Sequence, residues 1–301
     1  MKNIKLLFVL MMMLPYTPSF AQQDPLYSLY LSNPIAINPA YSGLYHNLEV
    51  NVDYRDQWAG FDGQPKTATA NASMSLRNNT MGTGLVVVQD KIGENTNTSI
   101  NAAYAYQIKL NAGEVFSFGM QAGFTNFKSD PSQVKIYNAD DPAFAAYSQM
   151  KVNIGAGAIL KGDRYLVGLS VPRLLPSTLD AGNEKLQVYQ QHYYLQGYYL
   201  IHLNDKVVFR PAVLFKDVKH APLSTDFSAS VILDRKFTAG IFTRNLKSYG
   251  IVTQLNFLEH FKLAYAFEMP TSSSVGTRYT THEITLGIRA AVFRFHDNIA
   301  W

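Results

Sequence analysis

The sequence predicts an all-β fold, a transmembrane antiparallel β-barrel of about 14 strands, and three observations predict it. Charged residues make up only 16% of the chain while aromatic residues reach 13%, and a β-protein washed by water on its outer face carries more charge than that. From Asn47 onward, short runs alternate apolar with polar or small residues, each bounded by Gly, Asn, Asp, Pro or Ser. That period of two is the signature of strands with two unlike faces. Beyond the N-terminus, no stretch has the length and apolar purity of a spanning helix, so an exported chain of this kind is either soluble or a closed barrel.

The first element is a leader. Lys2 and Lys5 precede the apolar run Leu6 to Leu14, followed by Pro15 to Phe20 and Ala21. The run is about nine residues where a spanning helix needs roughly 20, so residues 1–21 read as a cleavable signal peptide and the mature chain begins at Gln22. Cleavage removes two lysines and lowers the formal charge from +4 to +2 (4 − 2). The 26 basic residues are scattered among 22 acids, without the basic stripe that nucleic acid requires, so no nucleic-acid partner is expected. There are no cysteines; an exported chain without disulfides must be held by other means, and thiol catalysis, zinc ribbons and iron–sulfur sites are excluded.

Gln22 to Tyr45 comes next and carries Pro25, Pro34 and Pro39. That proline density opposes a helix or a central strand, so the segment reads as an extended stretch packed at one end of the barrel or in its lumen. Fourteen strands follow, near 47–58, 66–77, 82–91, 97–110, 114–127, 151–161, 164–171, 190–203, 206–217, 223–233, 236–244, 248–258, 261–269 and 281–295. The count is even and the lengths suit tilted membrane strands of about 9–11 residues with some excess. In 97–110, Tyr104, Tyr106 and Ile108 share one face while Asn101, Ala103, Ala105 and Gln107 share the other; in 261–269, Phe261, Leu263, Tyr265 and Phe267 oppose Lys262, Ala264, Ala266 and Glu268. The apolar face is assigned to lipid and the small or polar face to a wet lumen. Short connections at Gly162-Asp163 and Asn204-Asp205 contrast with long ones at 128–150, 172–189 and 270–280, the asymmetry of periplasmic turns and external loops. Residues 22–301 show one composition throughout and read as a single barrel domain.

Chemistry-bearing motifs are sparse. Gly82-Thr-Gly84 and Gly155-Ala-Gly157 lack the helix and Lys-Ser/Thr of a phosphate loop, and small residues on a lumen face explain them better. Asp53, Arg55 and Asp56 allow a paired-carboxylate catalyst, but a charge pair in which Arg55 offsets an acid inside the wall is the stronger reading. His282-Glu283 lacks the second histidine of a zinc helix, since position 286 is Leu, and its context is a strand. The remaining histidines show no metal-ligand spacing, and no Ser sits in a Gly-x-Ser-x-Gly elbow. Tyr193, Tyr194, Tyr198 and Tyr199 fit an interfacial girdle better than sugar-stacking platforms. No enzyme activity and no cofactor is expected.

Asp24-Pro25-Leu26-Tyr27-Ser28, Asn33-Pro34 and Ile37-Asn38-Pro39-Ala40-Tyr41-Ser42-Gly43 resemble the opening of the PorP/SprF family of Bacteroidetes outer-membrane proteins. The resemblance continues through Tyr54-Arg55-Asp56-Gln57-Trp58, Gly60-Phe61-Asp62-Gly63, Pro65-Lys66-Thr67, His192-Tyr193-Tyr194, Gly197-Tyr198, Arg210-Pro211, Ala221-Pro222 and Thr281-His282-Glu283-Ile284. It spans nearly all of the mature chain, with the specific part at the amino end. Phe293 to Trp301 extends beyond a family-like last strand and reads as a tail. Membership implies an outer-membrane barrel of the type IX secretion system or the gliding machinery linked to it. Some members are thought to hold a secreted adhesin at the cell surface by its C-terminal domain, and others sit with periplasmic secretion components. On that resemblance the candidate structural or partner motif is Asn33, Pro34, Asn38, Pro39, Tyr41, Gly43, Arg55, Trp58, Gly60, His282 and Glu283. Outer-membrane lipid, a large secreted adhesin and periplasmic secretion components are the expected partners. A diffusion pore for small solutes is the alternative, since a wet lumen also allows it.

Overall fold

The structure is a computed structural model that describes residues 27–76, 79–111, 113–130, 146–181, 184–219, 221–271 and 277–291. The leader, its cleavage point, residues 22–26 and the tail Phe293 to Trp301 lie outside the described residues, as does most of the loop between positions 128 and 150.

The first half of the wall is β1 (Leu48–Asp56), β2 (Lys66–Leu76), β3 (Met81–Ile92), β4 (Asn95–Lys109), β5 (Val115–Ser129), β6 (Tyr147–Lys161) and β7 (Tyr165–Val171). A separate hairpin follows, β8 (Ser177–Ala181) with β9 (Glu184–Tyr189). The wall resumes with β10 (His192–Tyr199), β11 (Ile201–Asn204), β12 (Val207–Val218), β13 (Ser224–Leu233), β14 (Phe237–Arg244), β15 (Ser248–Phe257), β16 (Phe261–Pro270) and β17 (Thr281–Ala290). Neighbouring wall strands are antiparallel, β10 pairs with both β7 and β12, and β1 pairs with β17 from Leu48↔Ala290 to Asp56↔His282. The ring is therefore closed at fourteen strands, with β11 as an additional short strand on β12. Closure leaves no sheet edge to satisfy in hydrocarbon.

All fourteen strands expected from the period-two pattern are present, and two details differ. The stretch 190–203 is split into β10 and β11, and the break faces Arg210 and Pro211 of β12. Proline has no N–H to offer the ladder at that point. The hairpin β8–β9 occupies a stretch expected to be loop; its two runs flank Gly182-Asn183, a dipeptide of the hairpin-turn type.

The two faces are inverted relative to a soluble β-protein. On β1, Val50, Val52 and Tyr54 are exposed outward, while Asn51, Asp53 and Arg55 are buried. On β2 the buried row is Thr67, Thr69, Asn71, Ser73 and Ser75. Apolar outside and polar inside is stable only where the outside is lipid. The two ends also differ. At one end the connections run from two residues at 205–206 to five at 110–114; the opposite end mixes short turns at 93–94, 219–223 and 245–247 with all four long spans, 57–65, 130–146, 172–191 and 271–280.

Much of the lumen is occupied by the chain's own residues 27–46, the second of the two placements expected for this segment. Ile35, Ala40, Tyr41 and Leu44 pack on Val86, Ile159 and Leu166. Leu29 packs on Phe242, Ala264 and Ala266, and Tyr30 with Ile37 packs on Tyr194 and Leu214. Polar inward side chains bind this plug as they would bind water. Glycine appears where the plug comes closest: a Cβ at Gly82 would lie 1.9 Å from the Ser42 carbonyl oxygen, and one at Gly119 would lie 2.3 Å from the Ala40 nitrogen.

Candidate functional site

The plug is shaped by its prolines. Pro34 and Pro39 each open a short 3-10 turn, Pro34–Ala36 and Pro39–Tyr41, where the fixed φ is preorganised and the missing N–H has no partner to lose. The segment expected to be extended is thus a chain of tight turns. Asn38 caps the second turn by accepting from the Ala40 N–H at 2.9 Å, and its amide donates to the carbonyls of Ala158 and Leu169 at 3.4 Å. Turns leave carbonyls unpaired, and the wall supplies donors. Ser117 donates to the Ala40 carbonyl and Ser170 to that of Ile37, each at 2.7 Å, while Asn71 donates to Asn33 Oδ1 at 2.7 Å.

The plug runs from Tyr27 and Ser28 near the long-loop end to Gly43 and Leu44 near the short-turn end. Its upper part is held by a buried ionic latch. Glu283 of β17 accepts the backbone N–H groups of both Ser28 (2.7 Å) and Leu29 (3.0 Å), and Arg55 of β1 pairs with it at 2.8 Å. Arg55 also reaches Glu268 of β16 at 3.1 Å and donates to Ser28 Oγ at 2.8 Å. Glu268 in turn pairs with Arg244 of β14 at 3.1 Å, and Arg244 with Asp226 of β13 at 2.8 Å. Two guanidinium groups thus face three carboxylates. Ser28 and Ser248 hydroxyls on Glu268, with the two amides on Glu283, stabilise the excess negative charge. Asp53, two residues along β1, accepts from Thr285 at 2.6 Å.

The candidate residues separate into two groups. Asn33, Pro34, Asn38, Pro39, Tyr41, Gly43, Arg55 and Glu283 meet in the lumen as plug and latch. Trp58, Gly60 and His282 do not join them. Trp58 and Gly60 lie in the 57–65 loop, where the Trp58 N–H donates to Thr281 Oγ1 at 3.3 Å. Phe61 stands edge-on between Trp58 (6.4 Å) and Tyr279 (5.4 Å). His282 and Glu283 point to opposite faces because they are consecutive in a strand. His282 lies on the outer face, bonded to the Tyr265 hydroxyl at 2.8 Å and packed edge-on against Phe267. Arg55 is offset by Glu283 and Glu268, not by its sequence neighbours Asp53 and Asp56; Asp56 is bonded by Gln64 in the loop. Ser28, Asp226, Arg244 and Glu268 complete the latch without having been singled out from the sequence. The signal for three of them was parity, since each is a charge on the inward row of its strand.

The family model described as type IX secretion system membrane protein PorP/SprF matches residues 19–288. No curated protein matches the chain. Among solved structures, CymD, a monoaromatic hydrocarbon channel, is 11% identical over 88% of this chain and 94% of its own, with a TM-score of 0.53. The Acinetobacter baumannii outer membrane protein Omp33 is 11% identical over 83% of this chain and 99% of its own, with a TM-score of 0.46. The NanC porin is 10% identical over 81% and 98%, with a TM-score of 0.43. Identities this low speak to the fold alone, and the CymD channel shares it.

Proposed function

The chain belongs to the PorP/SprF family of type IX secretion system membrane proteins, and from that premise we propose that it is a non-enzymatic outer-membrane component that anchors or helps export a secreted adhesin by binding its C-terminal domain. Residues 22–301 act as one barrel domain after removal of the leader 1–21. The observation that carries the reading is the plug: a lumen filled by residues 27–46 and latched through Glu283 is built to present surfaces, not to pass solutes. The 57–65 loop and residues 277–280, joined by Trp58, Phe61 and Tyr279, form the partner-facing rim on the cell surface. Aromatic residues are the usual anchors of such contacts.

Pull-down from detergent extracts tests this. Recovery of a large secreted adhesin or of secretion components is expected, with loss of the adhesin from the surface of a deletion strain. Recovery of neither, with secretion intact, contradicts it. The pore reading makes the opposite demand, since it requires stable conductance from the unmodified protein.

A further inference from the structure

We propose that the cavity beneath the plug is a binding site for an acidic peptide segment. It has a volume of about 990 Å³ and reaches from Ser32 and Tyr45 of the plug to the short turns around Arg235 and Glu259. The plug closes it above, so its mouth is at the short-turn end, away from the loops assigned to the adhesin. The site stands independently of that assignment.

Charge is distributed differently in the two halves of the lumen. In the latch, Arg55 and Arg244 are each matched by carboxylates. In the cavity wall, Arg289 is matched by Glu49 at 2.8 Å, but Arg210 and Lys262 have no ion pair among the described residues. Among the described residues the Arg210 side chain donates to Ser230 Oγ at 3.2 Å and the Lys262 ammonium to the Ser32 carbonyl at 2.5 Å. Glu49 and Asp53 act on Lys262 at longer range, and Asp234 and Glu259 stand among the basic side chains of the rim, but the lining keeps more cations than acids. A cation in a protein wall with no carboxylate in direct contact is costly, and an incoming carboxylate relieves that cost. Two such cations, on β12 and β16, call for more than one carboxylate. The volume lies at the upper limit of the roughly 300–1,000 Å³ of small-ligand pockets, and the mouth is unlidded. Asn51, Gln254 and Asn256 also line the cavity, with their amides bonded to Asn71, to Asn256 and to the Arg235 carbonyl respectively, so recognition rests on the charged groups.

Fluorescent hexaglutamate, added to the purified full-length protein in detergent and followed by polarisation, provides the test. Saturable binding is expected, with free glutamate competing at least about tenfold more weakly and hexalysine not competing. The pair Arg210→Gln and Lys262→Gln is expected to weaken binding about tenfold or more, while Arg210→Lys with Lys262→Arg retains it. Asn256→Glu removes no cation, adds a negative charge to the wall, and is expected to weaken binding as well; it decides the matter if the glutamine pair does not fold. Absence of saturable binding, equal potency of free glutamate, or an Asn256→Glu protein with unchanged affinity overturns the proposal.

Discussion

At the scale of single residues, Glu283 matters most, because one carboxylate holds two plug amides and one guanidinium. Removing it leaves Arg55 with Glu268 as its remaining acid and two plug N–H groups without their acceptor. Breaking a buried pair of this kind costs about 3–5 kcal/mol. Glu283→Ala is therefore expected to lower the temperature at which the barrel loses its fast-migrating gel form and to produce intermittent channel openings. Glu283→Gln retains an acceptor for one amide and is expected to fall between. An alanine variant as heat-resistant and as silent as the parent contradicts the latch. Gly119 makes a complementary test from the opposite wall. Gly119→Val places atoms where the Ala40 backbone runs, and displacement of the plug is expected to appear as protease cleavage within residues 27–46 with the wall intact.

Among elements, strands were easier to read from the sequence than the plug. Each strand buries one face and exposes the other, so Asn101 against Tyr104 or Ala264 against Tyr265 announces itself by period two. The plug has no such period; its prolines mark a non-strand segment, but its place in the lumen depends on wall groups far away in sequence, such as Ser117 and Ser170. The latch was half legible. Arg55 and Glu283 stood out through the family resemblance, whereas Glu268, Arg244 and Asp226 are single charges whose meeting depends on ring closure. The hairpin β8–β9 was missed because its strands are only five and six residues long. Plug and wall are separate elements with separate support, the wall by backbone ladders and the plug by side chains. Deleting residues 27–45 is accordingly expected to leave a folded, heat-modifiable barrel. If the deletion instead abolishes barrel assembly, the plug is a structural core and not an insert.

For the whole molecule, the decisive feature is a closed ring whose lipid face is apolar and whose polar interior is occupied by its own chain. Closure through β1–β17 and β10–β12 places each of the fourteen ring strands between two neighbours, and the amino-terminal segment stoppers the lumen above the cavity that opens at the short-turn end. These two properties separate a stoppered barrel from an open pore. Planar-bilayer recording of the purified full-length protein beside the 27–45 deletion addresses both at once. The full-length protein is expected to be silent and the deletion to give stable channels; sustained conductance from the full-length protein, or silence from a correctly folded deletion, contradicts a barrel stoppered by its own amino-terminal segment.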